Sequence, residues 1–118
     1  MKIYENLTLI TYDYTQALFF LKKYNGKKIN IFYSKKTILW QGPKLVKKIE
    51  TKLKNKTNFI AEAKENIGLA LALIHLDLEY LSISKELNKK LYEKIISVAK
   101  KKKTKIVVSE KFRKLSIN

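Results

Sequence analysis

Short runs of β-branched and aromatic residues alternate along the chain with longer stretches in which apolar residues recur every three or four positions. The short runs predict five strands, at residues 7–12, 29–33, 58–63, 80–84 and 105–109. The longer stretches predict four helices, one after each of the first four strands. Asp13 is the predicted cap of the first helix, and Gly42-Pro43 opens the second. Residues 35–40 fit either a loop or a short extended segment.

This alternation has the spacing of crossover connections, which predicts a parallel sheet with helices on both faces. The fold class is therefore α/β, and the length favours one doubly wound, flavodoxin-like domain over residues 1–118. The predicted sheet has five strands in the order 2-1-3-4-5, with four helices. A ferredoxin-like split arrangement is the main alternative, and it requires residues 35–40 to form an extra strand.

The third predicted helix, at residues 67–76, is apolar on every side, unlike the other three. A helix that covers one face of a sheet normally shows a polar stripe to water. Either this helix is central and flanked by two others, or its outer face meets another subunit. The second alternative predicts a homo-oligomer. Its contact residues would be Gly68, Leu69, Ala72, Leu73 and Leu76.

The formal net charge is +16, from 26 basic and 10 acidic residues. Such a charge on a small domain favours a polyanionic partner. However, Arg113 is the single arginine, and nucleic-acid readers rely on the planar guanidinium group. Lys, Ile, Asn, Tyr and Phe account for 59 of the 118 residues, as expected of a protein from an AT-rich genome. Nucleic acid is therefore an alternative partner rather than the leading one.

Several kinds of site are excluded by what the sequence lacks. Without cysteine there is no disulfide scaffold, thiolate zinc site or catalytic thiol. The three glycines form no phosphate-binding loop, and His75 has no partner at a motif spacing. We therefore expect no catalytic residue, no metal site and no cofactor. No apolar run reaches the ~18 residues of a membrane-spanning helix, and the N-terminus lacks a signal peptide's apolar region, which predicts a cytoplasmic protein.

Ligands of doubly wound sheets bind beyond the carboxyl ends of the strands, where the strand order reverses. In the predicted order Asp13 and Glu62 face each other across this crevice. Paired carboxylates bind hard cations such as Mg²⁺ or shift each other's pKa. The alternative is that Asp13 only caps a helix and Glu62 is a surface carboxylate. The candidate ligand-binding residues are Asp13, Tyr14, Ser34, Glu62, Glu65, Asn66 and Ser84.

The segment Trp40-Gln41-Gly42-Pro43 has two interpretations. Tryptophan is costly to expose and Gly-Pro fixes a turn, so the segment fits a loop that contacts a ligand. The interpretation that we favour is a plug over the core.

Two resemblances rest on these residues. Asp13, Glu62, Ser84 and Lys111 stand roughly where two-component receiver domains carry acidic, Ser/Thr and Lys residues, although Glu62 replaces the phosphorylatable aspartate. The sequence Trp40-Gln-Gly-Pro43, followed by Glu62-Ala-Lys-Glu-Asn66 and a helix rich in Gly and Ala, is similar to small uncharacterised α/β proteins of alphaproteobacteria. The second resemblance implies a flavodoxin-like fold and no known activity.

The leading prediction is a non-enzymatic domain that acts through protein–protein contacts and self-associates through residues 67–76. One alternative is a lysine-driven, non-specific binder of nucleic acid or another polyanion. The other is a receiver-like or small-ligand-binding domain that uses the crevice at the strand ends.

Overall fold

Side chains that cap the backbone determine where the helices begin. In the computed structural model, which describes residues 2–117, Asp13, Ser34, Asn66 and Asn88 each accept a hydrogen bond from the backbone N–H three residues further on. The helices are α1 (Tyr14–Lys23), α2 (Lys35–Gln41), α3 (Pro43–Leu53), α4 (Ile67–His75) and α5 (Lys89–Lys102). Each of the four predicted helices is present and the Asp13 cap is confirmed, but the predicted count of four helices is wrong, because the structure has five. The fifth helix, α2, occupies the segment that the sequence left ambiguous.

The strands form one parallel sheet in the order β5-β4-β3-β2-β1-β6. They are β1 (Leu7–Ile10), β2 (Ile29–Tyr33), β3 (Asn58–Lys64), β4 (Tyr80–Ile83), β5 (Lys105–Val108) and β6 (Lys114–Ser116). The α/β class and the parallel sheet are confirmed, and the Cα radius of gyration of 13.3 Å fits a single compact domain. The predicted order 2-1-3-4-5 and the count of five strands are wrong. From β1 to β5 the chain advances one position in the same direction at every crossover, so the order does not reverse there.

The five helices pack on one face of this sheet. Crossovers that are right-handed and advance in one direction all pass over the same face. Along β2, Ile29, Ile31 and Tyr33 point to that face and belong to one core cluster. The cluster contains buried residues of every helix, among them Ala17, Ile38, Val46, Leu73 and Ile95. The doubly wound arrangement, with helices on both faces, is therefore wrong. Within the described residues no helix has both the length and the apolar character needed to cross a membrane.

The opposite face of the sheet is covered by two short 3₁₀ segments, Lys2–Glu5 and Ser109–Lys111. A second apolar cluster lies beneath them, and Phe112 packs there between Tyr4 and Phe32, at ring-centroid distances of 4.7 and 5.7 Å. The chain crosses this face after β5 and reaches the far edge, where β6 pairs with β1. The fold thus has three layers, of which the third is thin.

Candidate binding surface

The corner between α2 and α3 turns a large apolar side chain outward. The Gly42 N–H donates to the Ile38 carbonyl at 2.7 Å and Gly42 has a φ of 95°, a conformation that glycine adopts without a steric penalty. Pro43 then begins α3. Ile38 is buried beneath the corner, whereas Trp40 is 85% exposed. The favoured interpretation of Trp40 as a plug over the core is therefore wrong, because α2 points Ile38 inward and Trp40 outward.

A groove runs between the start of α1 and the outer side of α3. It has a volume of about 780 Å³, and its apolar wall includes Tyr14, Trp40, Leu45 and Ile49. Leu45 is exposed on the first turn of α3, although its sequence spacing places it on the buried stripe of that helix. We call this feature the α1–α3 groove. It offers an apolar ligand more contact area than a flat helix face does.

A second groove lies on the other side of the same corner. It has a volume of about 540 Å³ and is bounded by Pro43 and Leu45 on one side and by Ala72, His75 and Leu76 on the other. Both grooves are lined by Gln41 and Leu45, so these residues form a ridge between them. We call this feature the α3–α4 groove, and we refer to Trp40, the ridge and the two grooves together as the Trp40 surface.

Hydrogen bonds hold the ridge in place. The Gln41 side-chain amide donates to the Tyr12 carbonyl, and the Tyr12 N–H donates to Gln16 Oε1 at 2.7 Å. The loop after β1 is thereby tied both to α1 and to the end of α2. These hydrogen bonds restrict the ridge to one conformation, which lowers the entropic cost of binding.

Lysines surround the Trp40 surface. Lys47, Lys48 and Lys52 line the α1–α3 groove, and Lys44 lines the α3–α4 groove. Lys47 donates to Glu50 Oε1 at 2.8 Å, and the Lys52 ammonium lies 5.1 Å from the centre of the Tyr14 ring. Asp13 is the one carboxylate that lines either groove within the described residues, and it already accepts from the Gln16 N–H at 2.7 Å. The surface is therefore apolar at its centre and basic at its rim.

The structure does not bring Asp13 and Glu62 together. Because β2 lies between β1 and β3, the ends of these two strands are about 10 Å apart. Asp13 Oδ1 caps α1, while Glu62 is buried and its Oε1 accepts from the Lys35 N–H at 3.2 Å. The predicted carboxylate pair depended on the order 2-1-3-4-5 and fails with it. The receiver-like arrangement of these two acids fails for the same reason.

The other predicted ligand-binding residues make structural contacts. Ser34 and Asn66 cap α2 and α4, and Ser84 Oγ donates to Glu110 Oε2 at 2.8 Å. Glu65 accepts from Lys35 Nζ at 2.7 Å, and this hydrogen bond lowers the pKa of the Glu65 carboxyl. Of the predicted set, Asp13 and Tyr14 line the α1–α3 groove.

Burial and hydrogen bonding act in opposite directions on the pKa of Glu110. Desolvation raises the pKa, but hydrogen bonds from the Lys85 N–H, the Ser84 hydroxyl and the Glu110 backbone, together with the charge of Lys114, lower it, and the net pKa is lowered. Glu110 therefore fastens the segment after β5 to the loop after β4.

The residues predicted for self-association divide into two groups. Leu69 and Leu73 are buried in the core, so they are not available to a second copy. Gly68 is exposed, and Ala72 and Leu76 border the α3–α4 groove. The apolar character of α4 is explained in part by its position, because it packs between α3 and α5. Of the predicted residues that remain, Ala72 and Leu76 belong to the Trp40 surface.

Tyr33 lies fully buried at the end of β2, and its hydroxyl has no hydrogen-bond partner among the described residues. The ring packs against Phe59 at a centroid distance of 4.9 Å. Burial, together with the nearby negative charge of Asp13, raises the pKa of the Tyr33 hydroxyl. Sequence reasoning did not identify this residue, because its position in an apolar strand resembles that of any core aromatic.

We expect the Tyr33→Phe variant to be more stable than the wild type by about 1 kcal/mol, since it removes a desolvated hydroxyl that nothing compensates. Tyr4→Phe is the matched control, because the Val108 N–H donates to Tyr4 Oη at 2.9 Å and that variant should be destabilised.

The folded-state pKa of Tyr33 exceeds the value of about 10 in the unfolded chain, so wild-type stability falls as the pH rises above that value. The stability of Tyr33→Phe should fall less over the same pH range, because the variant has no hydroxyl at this position to ionise. Urea denaturation at neutral and alkaline pH measures both effects, and equal signs for the two variants would contradict this account.

Neither a search for metal-binding groups nor a comparison with known proteins adds a further candidate site. Among residues 2–117, no three His, Asp or Glu side chains are grouped so that they could hold a metal ion. No protein-family model matches the chain, and no curated protein is similar to it in sequence. The functional interpretation therefore rests on the geometry of the Trp40 surface.

Proposed function

We propose that this protein is a non-enzymatic binding module whose Trp40 surface docks an acidic segment of another protein. The observation that carries the proposal is the 85% exposure of Trp40 beside two apolar grooves. Tryptophan is enriched among the residues that dominate binding energy at protein interfaces. It buries 150–250 Å² when covered, which is worth roughly 4–6 kcal/mol before the costs of association.

The apolar residues of this surface form one patch. Tyr14, Trp40 and Leu45 line one groove, Leu45, Ala72 and Leu76 line the other, and Leu45 joins the two. Contiguous exposed patches of this kind mark interaction sites, whereas single exposed apolar residues are ordinary. The ridge divides the patch, so the occupant fits best if it presents two apolar anchors, one for each groove. An amphipathic helix provides such anchors about one turn apart.

The charge at the rim identifies the chemistry of the occupant. Lys44 and Lys48 are exposed, and neither takes part in an ion pair among residues 2–117. Carboxylates that flank the apolar anchors would therefore meet lysines, which favours the correct partner and speeds its association. A second copy of this chain would place these lysines against themselves, and each copy carries a net charge of +16. The charge of the surface therefore complements an acidic partner better than it complements a second copy of the chain.

Selection of short random peptides on the wild-type protein tests the proposal. We expect the enriched peptides to carry a net negative charge and two apolar clusters. Reversing two charges at the rim, in the variant Lys44→Glu/Lys48→Glu, should weaken their binding about ten-fold or more. The matched control is Lys90→Glu/Lys94→Glu, which makes the same change on exposed residues of α5, away from the grooves.

Two results would overturn the proposal. One is a selection that enriches neutral or basic peptides, or none. The other is an equal loss of affinity in the two charge-reversed variants, which would show that binding follows total charge. Sedimentation equilibrium tests whether a second copy of the chain occupies the surface instead. If the wild type is a dimer and the Leu45→Asp variant is a monomer, the surface binds a second copy and the proposal is also overturned.

A further inference from the structure

A separate cleft at the amino edge of the sheet is lined by lysines from two loops. Residues 24–28 join α1 to β2, residues 54–57 join α3 to β3, and the pairing of β2 with β3 places these loops side by side. The cleft has a volume of about 250 Å³. Its four basic residues are Lys27, Lys28, Lys54 and Lys56.

This cleft contains no carboxylate, whereas its neighbour does. The neighbouring cleft, of about 290 Å³, is also reached by Lys54 and is lined by Lys102 and Lys103, but Glu50, Asp77 and Glu79 lie beside these lysines. None of the ion pairs among residues 2–117 involves a lysine of the first cleft. A genome that enriches lysine everywhere does not explain why one cleft is neutralised and the other is not.

The helix ends beside the cleft offset only part of its charge. α1 and α3 end at these loops, and each helix C-terminus is equivalent to about half a negative charge. Two such ends compensate about one of the four lysine charges. Because Lys54 also borders the acidic neighbouring cleft, an excess of about two to three positive charges remains within one small cleft. Bringing like charges together costs free energy that a bound anion recovers.

We propose that this cleft binds a condensed phosphate chain, such as a triphosphate, either free or carried by a nucleotide. A triphosphate presents several negative charges within a few ångströms, which suits a cleft lined by lysines of two adjacent loops. Lysine meets each phosphate as a compact charge with three rotatable donors. The polar lining continues with Asn55, Thr57 and Asn58, and no aromatic ring lines the cleft to stack on a base. The phosphate chain, rather than any group attached to it, is therefore the part that is recognised.

Isothermal titration of the full chain with sodium tripolyphosphate, at about 50 mM salt to limit screening, tests the proposal. We expect Lys28→Gln/Lys56→Gln to weaken binding about ten-fold, because one lysine of each loop is lost. The control Lys90→Gln/Lys94→Gln removes the same charge from exposed residues of α5 and should change the affinity less than about two-fold. Circular dichroism establishes that both variants are folded.

A nucleoside triphosphate distinguishes the two sources of the phosphate chain. We expect it to bind within about three-fold of tripolyphosphate, since the cleft has no contact for the base. The proposal is overturned if tripolyphosphate does not bind, if both lysine pairs matter equally, or if the nucleotide binds more than about ten-fold tighter than tripolyphosphate.

Discussion

Glu50→Ala is expected to destabilise the fold by about 2 to 3 kcal/mol, a large share of the stability of a domain this small. The Glu50 side chain is 1% exposed on α3. Its Oε2 accepts from the Glu79 N–H at 2.7 Å, at the entry to β4, and its Oε1 accepts from Lys47 Nζ at 2.8 Å. Removing the carboxylate leaves a partly buried backbone donor and a lysine without their acceptor.

Glu65→Ala is the matched control for this variant. Glu65 also pairs with a lysine, Lys35, and the N–O distance of 2.7 Å is nearly the same, but the Glu65 side chain is 59% exposed. Exposed ion pairs contribute little to stability because water and salt screen them. Urea denaturation of the two variants should therefore show a large fall in midpoint for Glu50→Ala and almost none for Glu65→Ala. An equal fall in the urea midpoint for the two variants would show that the burial of Glu50 does not determine its contribution to stability.

Trp40→Ala is expected to weaken the binding of a selected acidic peptide by about thirty-fold or more, which corresponds to about 2 kcal/mol. The loss arises because a buried aromatic anchor at the centre of an interface contributes more than its neighbours. The free energy of unfolding should hardly change, because Trp40 is exposed in the unbound protein. Isothermal titration and urea denaturation measure the two quantities on the same samples.

Phe19→Ala is the control for the loss of an exposed aromatic residue. Phe19 is 56% exposed on α1 and lines neither groove. We expect this variant to bind the peptide as the wild type does. An equal loss of affinity in Phe19→Ala would mean that the peptide adheres to any exposed aromatic side chain.

Local signals in the sequence predicted most elements of this fold but not their order. The caps and the spacing of apolar residues are local, so Asp13, Pro43 and residues 29–33 were identified correctly. Strand order depends on the direction of each crossover, and the same alternation of strands and helices fits both 2-1-3-4-5 and the observed sequential order. β6 was missed because a three-residue edge strand has too short a pattern to recognise.

Strand order also explains why the predicted pairing of Asp13 with Glu62 is wrong. Asp13 and Glu62 were placed together by the assumed strand order, and β2 separates them in the structure. Trp40 was assigned to the core because tryptophan is seldom exposed. Its outward orientation follows from α2, whereas the sequence predicted either a loop or a short extended segment at residues 35–40. Leu45 lies at the exposed start of α3, although the apolar spacing of that helix is typical of a buried residue at this position.

The positions of the lysines in the structure show which part of the net charge of +16 is compensated locally and which part is not. Some lysines are neutralised locally, as Lys47 is by Glu50 and Lys102 by Asp77. Others gather without acidic neighbours, at the amino-edge cleft that contains Lys28 and Lys56. The sites at which lysine charge is uncompensated therefore predict more about function than the total charge does.

The fluorescence of Trp40 tests the central claim most directly, because it is the one tryptophan in the sequence and reports on the proposed surface alone. In the unbound protein its emission should resemble that of tryptophan in water, since the side chain is 85% exposed. Saturation with a selected acidic peptide that lacks tryptophan is predicted to shift the emission to shorter wavelength and to protect it from quenching by acrylamide. Binding that leaves both the emission and the quenching unchanged would contradict the account, because the peptide would then occupy another surface.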